Sequence, residues 1–155
     1  MVDAQSVGNT DTAKRKGYDA GKKVSGIKRH IGVDSQGLPH FIAVTTANVT
    51  DRQGALGGMK NHRHVLDSVQ TVLADGGYTG KPFAQEVSRL LGAEVTVAKR
   101  NKLHTFSVIP MRWVVERSFA WLSKCRRLWK NCEKRLNSSL HMVNLAFLRL
   151  LLIRS

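Results

Sequence analysis

Negative charge is what this chain most lacks. Eleven Asp and Glu stand against twenty-five Lys and Arg in 155 residues, a formal charge of +14. That imbalance makes a polyanion the natural partner, with nucleic acid ahead of an anionic membrane surface. Cysteine is scarce as well: Cys125 and Cys132 lie seven apart, with no CxxC pair and no His at zinc spacing. This excludes a disulfide framework or a structural zinc site and reads as reduced thiols in a cytoplasmic protein. The opening residues, Met1-Val2-Asp3-Ala4-Gln5, have neither the basic start nor the apolar run of a signal peptide. The apolar end, Leu140 to Ile153, is interrupted by His141, Asn144 and Arg149. It falls short of the roughly 20 residues that cross a bilayer, so a core helix and no membrane partner are expected. Repeats, low-complexity tracts and Gly/Ser linkers are missing too, and the length suits a single domain over 1–155.

Residues 1–30 are polar, and Ser6 to Lys16 show neither helical nor strand period, which predicts a basic loop region. Within it, Lys22, Lys23, Lys28, Arg29 and His30 cluster near flexible glycines. Such a segment can follow a phosphate backbone or can simply be a solvated charge run. Residues 31–137 carry the expected sheet and a basic helix. Arg29–Asp34 and Leu38–Ala47 predict a hairpin with Asp34 in its turn, and Thr50 or Asp51 suits the N-cap of a helix running to Leu66. Ser68–Ala74 reads as a buried strand delivering Asp75 to Gly76-Gly77. A strand's carboxyl end is where open α/β sheets place chemistry, although an Asp-Gly turn explains the same residues.

Pro82–Leu91 predicts a helix stopped by Gly92, Ala93–Ala98 a strand, and Lys99-Arg100-Asn101-Lys102 a basic exit loop. The helix expected over 110–127 places Arg112, Glu116, Ala120, Ser123 and Arg127 on one face, away from Val114, Val115, Trp121, Leu122 and Cys125. Its plain reading is an Arg112–Glu116 pair at i,i+4, contributing about 0.2–0.5 kcal/mol. Residues 138–155 predict a packing helix capped by Ser138 or Ser139. The order implies an α/β chain with a mixed sheet and helices on both faces.

Four blocks, Val2-Asp3-Ala4-Gln5-Ser6-Val7, Gly17–Lys23 with Lys28-Arg29-His30, Ala74-Asp75-Gly76-Gly77-Tyr78 and Arg112–Leu122, resemble the catalytic half of bacterial DDE transposases of the insertion sequence 5 kind. The resemblance implies a ribonuclease H-like fold and three acids, Asp3, Asp75 and Glu116, that bind the catalytic Mg²⁺, with Mn²⁺ as a substitute. Arg112 and Glu116 match the Arg and Glu of the related Tyr-Arg-Glu-Lys signature; its Tyr is Ile109 here, and its Lys is Ser123, with Lys124 and Arg127 nearby. The chain starts at the first acid, so the strand that carries it is expected to be largely truncated.

Phosphodiester chemistry needs an in-line nucleophile and positive charge against the growing charge on phosphoryl oxygens, which a two-metal site supplies. Lys22, Lys23, Lys28, Arg29, His30, Arg112, Arg117, Lys124 and Arg127 are the expected DNA contacts, with a homodimer on paired DNA ends. Two other readings stand beside this one. The chain is a non-catalytic DNA-binding remnant or second-frame product, or it is a basic structural protein whose acids form salt bridges.

Overall fold

The computed structural model describes residues 1–97 and 112–154; the expected basic loop Lys99–Lys102, the signature position Ile109 and the helix start at Pro110-Met111 lie outside them. Six strands form one sheet: β1 (Val2–Gly8), β2 (Gly17–Asp19), β3 (Val24–Val33), β4 (Pro39–Thr46), β5 (Thr71–Ala74) and β6 (Glu94–Val97). β3 is its centre, antiparallel to β1 along one edge and to β2 and β4 along the other. β5 then joins β1 in parallel and β6 joins β5 in parallel. Four antiparallel strands continued by parallel ones, with helices on both faces, form a ribonuclease H-like mixed sheet.

Two expectations are corrected by this topology. Residues 1–30 are not a loop region, because β1, β2 and most of β3 lie there. Their polar residues hide strands that long-range pairing stabilises: every residue from Val2 to Gly8 pairs with one from Gly32 back to Gly26. The strand carrying Asp3 is also present, with its body following the acid and running on to Gly8.

The helices are α1 (Asp51–Asn61), α2 (Lys81–Leu91), α3 (Arg112–Ser123) and α4 (Leu136–Arg154). On one face, Val2, Phe41, Val72 and Ala74 pack with Ala55 and Met59 of α1 and Phe83 and Val87 of α2. On the other, Ile31, Val33 and Ile42 pack with Val114, Val115, Phe119 and Leu122 of α3 and Val143 and Phe147 of α4. Each fully buried aliphatic or aromatic side chain contributes about 1.5–3 kcal/mol.

α1 has few apolar side chains, so its start depends on capping. Thr50 Oγ1 accepts from Gln53 N at 3.3 Å, and the Gln53 side chain accepts in return from Thr50 N. Gly54 sits inside this helix because the His30 ring occupies the space a Cβ would need. Thr50→Ala is expected to cost about 1 kcal/mol, read as a lower urea midpoint with an unchanged slope.

α2 ends at Gly92 as expected. α4 differs from expectation. It begins at Leu136, and neither Ser138 nor Ser139 caps it, since Ser139 Oγ instead donates to Asn131 Oδ1 at 2.6 Å from within the helix. The earlier start makes Leu136–Ile153 long and apolar enough for a membrane span by length and composition alone. The helix nevertheless packs against β4 through Val143, Ala146 and Phe147, leaving Leu145, Leu148 and Leu152 exposed.

Candidate functional site

The pairing of β1 with β5 brings two of the three expected acids together. Val2 is the registered partner of Ala74, so Asp3 and Asp75 are the next residues along two parallel neighbours. Asp3 lies on β1 opposite Ile31 and is largely buried. Its Oδ1 accepts from Ala4 N at 2.7 Å. Asp75 closes β5 and caps a short 3-10 turn, Gly76–Tyr78, accepting from Gly77 N at 2.9 Å. Arg52 of α1 holds that turn from outside, donating from Nε to Gly77 O at 2.9 Å.

Burial pushes the Asp3 carboxyl up to about 6, and the Asp75 and Asp51 charges add to the rise. The Ala4 N–H and the Lys22 ammonium oppose it. Lys22 is close because its Nζ donates to Ala4 O at 2.9 Å.

Glu116 stands apart from this pair. It is exposed on α3 and pairs with Arg112 at 2.9 Å, the plain i,i+4 arrangement. Among the described residues, no three His, Cys, Asp or Glu side chains come close enough to hold one ion. Its helix packs on β3 and on β1, the strand that carries Asp3. Ser118 Oγ donates to Gly37 O at 2.8 Å, and Arg117 Nη2 donates to Gln36 O at 2.7 Å, so the β3–β4 turn holds the helix. Gly37 has φ +86° there, and a Cβ would press on Ser118 Oγ. Trp113 and Trp121 flank the Arg117 guanidinium at 4.6 and 4.9 Å.

Asp34 is a turn residue as expected, accepting from Gln36 N and Leu38 N. Asp51 is the first residue of α1 after the Thr50 cap.

Three expected DNA contacts are corrected by their burial. Lys28, Arg29 and His30 are only 5%, 2% and 0% exposed. Lys28 Nζ lies 3.0 Å from Asp19 and 2.8 Å from Asp51, and although burial works against its charge, those two hydrogen-bonded carboxylates raise its pKa. Arg29 Nη2 donates to Leu128 O at 2.8 Å, and burial lowers its pKa to about 10. Burial lowers His30 to about 4, leaving a neutral ring beside Thr45 Oγ1. A charge run in the central strand of a sheet covered on both faces turns inward instead of meeting solvent.

Lys22, Lys23, Lys124 and Arg127 remain exposed. The helix expected to run to Arg127 ends instead at Ser123, so Lys124 and Arg127 follow α3 in a turn, and Arg127 pairs with Glu133 at 2.9 Å.

Tyr78 is a residue that sequence reasoning does not single out. Its phenol oxygen is buried without a hydrogen-bond partner among the described residues, and burial, then Asp3, Asp51 and Asp75, raises its pKa. The signal for it is its place in the Asp75-Gly76-Gly77-Tyr78 block.

Asp3 and Asp75 fit a hard divalent cation. They offer oxygen only, their charges repel, and Mg²⁺ characteristically takes one or two carboxylates and completes its shell with water and phosphate oxygens.

The family model described as "Transposase DDE domain" matches residues 1–151. A protein of Burkholderia cepacia described as "Putative transposase for insertion sequence element IS402" is 36% identical over 117 residues, which is 71% of this chain and 55% of that protein. The chain thus spans about half the length of this curated relative. No solved structure matches it.

Proposed function

The chain belongs to the bacterial DDE transposases, and from that premise we propose that it cleaves and transfers DNA strands at the ends of an insertion element, using Asp3, Asp75 and Glu116 with Mg²⁺ or Mn²⁺. The observation that carries the reading is the parallel register that sets Asp3 beside Asp75. A divalent ion held there supplies Lewis-acid stabilisation of charge on the phosphoryl oxygens and a more acidic nucleophile. The chain's own part is positioning. The β1–β5 pair presents two carboxylates, Lys22 lies next to Asp3 to meet a DNA phosphate, and α3 carries Glu116 with Arg112 and Arg117 at its side. Lys23, Lys124 and Arg127 extend the cationic surface along the DNA. Work on paired element ends calls for a dimer on DNA, at the bacterial nucleoid.

A second reading, a DNA-binding remnant without catalysis, draws on Glu116 being paired with Arg112 and away from the other two acids. Nicking of supercoiled DNA in Mg²⁺ separates the two. The catalytic reading expects activity from the native chain and none from Glu116→Gln, and equal signals from both end the enzymatic claim.

A further inference from the structure

The turn that follows α3 is basic, exposed and held at both ends. Leu128 is buried at its centre, its N–H donating to Cys125 O at 2.8 Å and its carbonyl accepting from Arg29. Asn131 closes the turn by pairing with the end of β1: its N–H donates to Gly8 O, and its carbonyl accepts from Thr10 N, both at 2.9 Å. Between these anchors Trp129 is 67% exposed, among the exposed cations Lys124, Arg126 and Lys130. Burying the indole in the core would be the ordinary use of so large an apolar surface. A rigid turn that instead presents it among cations has the two elements of a nucleic-acid platform, a stacking face and phosphate-binding charge.

Lys130 limits how the ring can be used. Its ammonium lies 5.2 Å from the ring centroid, over one face. A wedge between two stacked base pairs needs both faces free, whereas a platform for an unpaired base needs one. The position is also informative: Asn131 bridges Asn9, the residue after β1 and six positions from Asp3. At about 3.4 Å per residue the turn is roughly 20 Å from that acid, a distance that a short run of single strand can span.

Resting on the DNA-acting reading above, we propose that Trp129 is a stacking platform for an unpaired base, with Lys124, Arg126 and Lys130 holding the adjoining phosphates. It forms a second contact for single-stranded DNA, roughly 20 Å from the Asp3–Asp75 pair.

The test uses the full chain with a labelled 20-nucleotide single strand and the same sequence as a duplex. Binding of wild type, Trp129→Ala and Trp129→Phe is followed by anisotropy, together with quenching of tryptophan fluorescence. The Ala variant should bind the single strand about tenfold more weakly and lose most of the quenching, while duplex binding changes less than about threefold. The Phe variant should stay within about threefold of wild type on both. Unfolding midpoints check that the variants, altered at an exposed site, remain folded.

Equal affinity of wild type and Trp129→Ala for the single strand would overturn the platform alone. An equal loss on duplex and single strand, or a Phe variant that falls as far as Ala, would also overturn it. Failure of the wild type to bind either DNA would overturn the DNA-acting reading as well.

Discussion

Asp3→Asn is expected to make the metal-free protein more stable near neutral pH while abolishing its response to Mg²⁺. The Asp3 carboxyl is raised to about 6 from an ordinary value of 3.8, so the folded state holds this proton more tightly than the unfolded chain does. Its favourable contribution is therefore complete below about pH 4 and is lost as the pH rises through about 6. Above that, the buried charge costs about 1–3 kcal/mol, because each tenfold gain in proton affinity is worth about 1.4 kcal/mol and partial solvation discounts the total. Wild type and Asp3→Asn should have matching unfolding midpoints at about pH 4, separate between pH 4 and 6, and stay apart above, with the variant higher by about 2–4 °C per kcal/mol.

Millimolar Mg²⁺ or Mn²⁺ should raise the wild-type midpoint, because a ligand of the folded state alone stabilises it by mass action. The Asn variant should not respond, and any nicking should fall by about 100-fold or more, beyond the 10–100-fold typical when only a ligand's supporting partner is lost. A wild type indifferent to both ions, or an Asn variant less stable at about pH 7.5, would remove the carboxylate pair as a metal site.

Lys28→Met should have the largest effect on stability. The ammonium joins Asp19 of β2 to Asp51 at the start of α1, and Ser6 Oγ donates to the same Asp19 oxygen at 2.6 Å. Removing the cation leaves two largely enclosed carboxylates uncompensated, a loss of about 3–5 kcal/mol. The pH dependence identifies the cause. Asp19 lies below the usual carboxylate range because of the Ser6 and Lys28 hydrogen bonds, so in wild type its contribution is present above about pH 4 and lost as the pH falls through its folded value. In the variant, acid protonates the abandoned Asp19 carboxylate, so the deficit should narrow below about pH 4. Urea titrations at about pH 3 and about pH 7 measure it. If Lys28 instead met DNA, the variant would keep its stability and the slope of log affinity against log salt would drop by about one.

Local chemistry is what the sequence expresses well. The β3–β4 hairpin, the Thr50 cap, Asp75 at the end of β5 and the Gly92 stop each depend on a few adjacent residues. β1 and β2 depend on distant pairing and carry few apolar residues, so their period is faint. Lys28-Arg29-His30 misleads for a related reason. Asp19, Asp51 and the Leu128 carbonyl, which meet Lys28 and Arg29, are nine to ninety-nine positions away. A run of cations gives no hint of such partners. At the site, the Asp3–Asp75 pairing follows from four matching blocks more than from either acid, and the Arg112–Glu116 pair is the plain helical reading.

Along the sheet, β1 meets β3 through seven consecutive pairs but meets β5 through the Val2–Ala74 pair. The antiparallel half and the β5–β6 half are therefore stitched at one rung, and the two acids lie immediately beyond it. Their separation is set less by a hydrogen-bonded ladder than by the side-chain packing that joins Val2 and Phe41 to Val72 and Ala74. A cation gripping both carboxylates would act as a second stitch beside the one Val2–Ala74 rung.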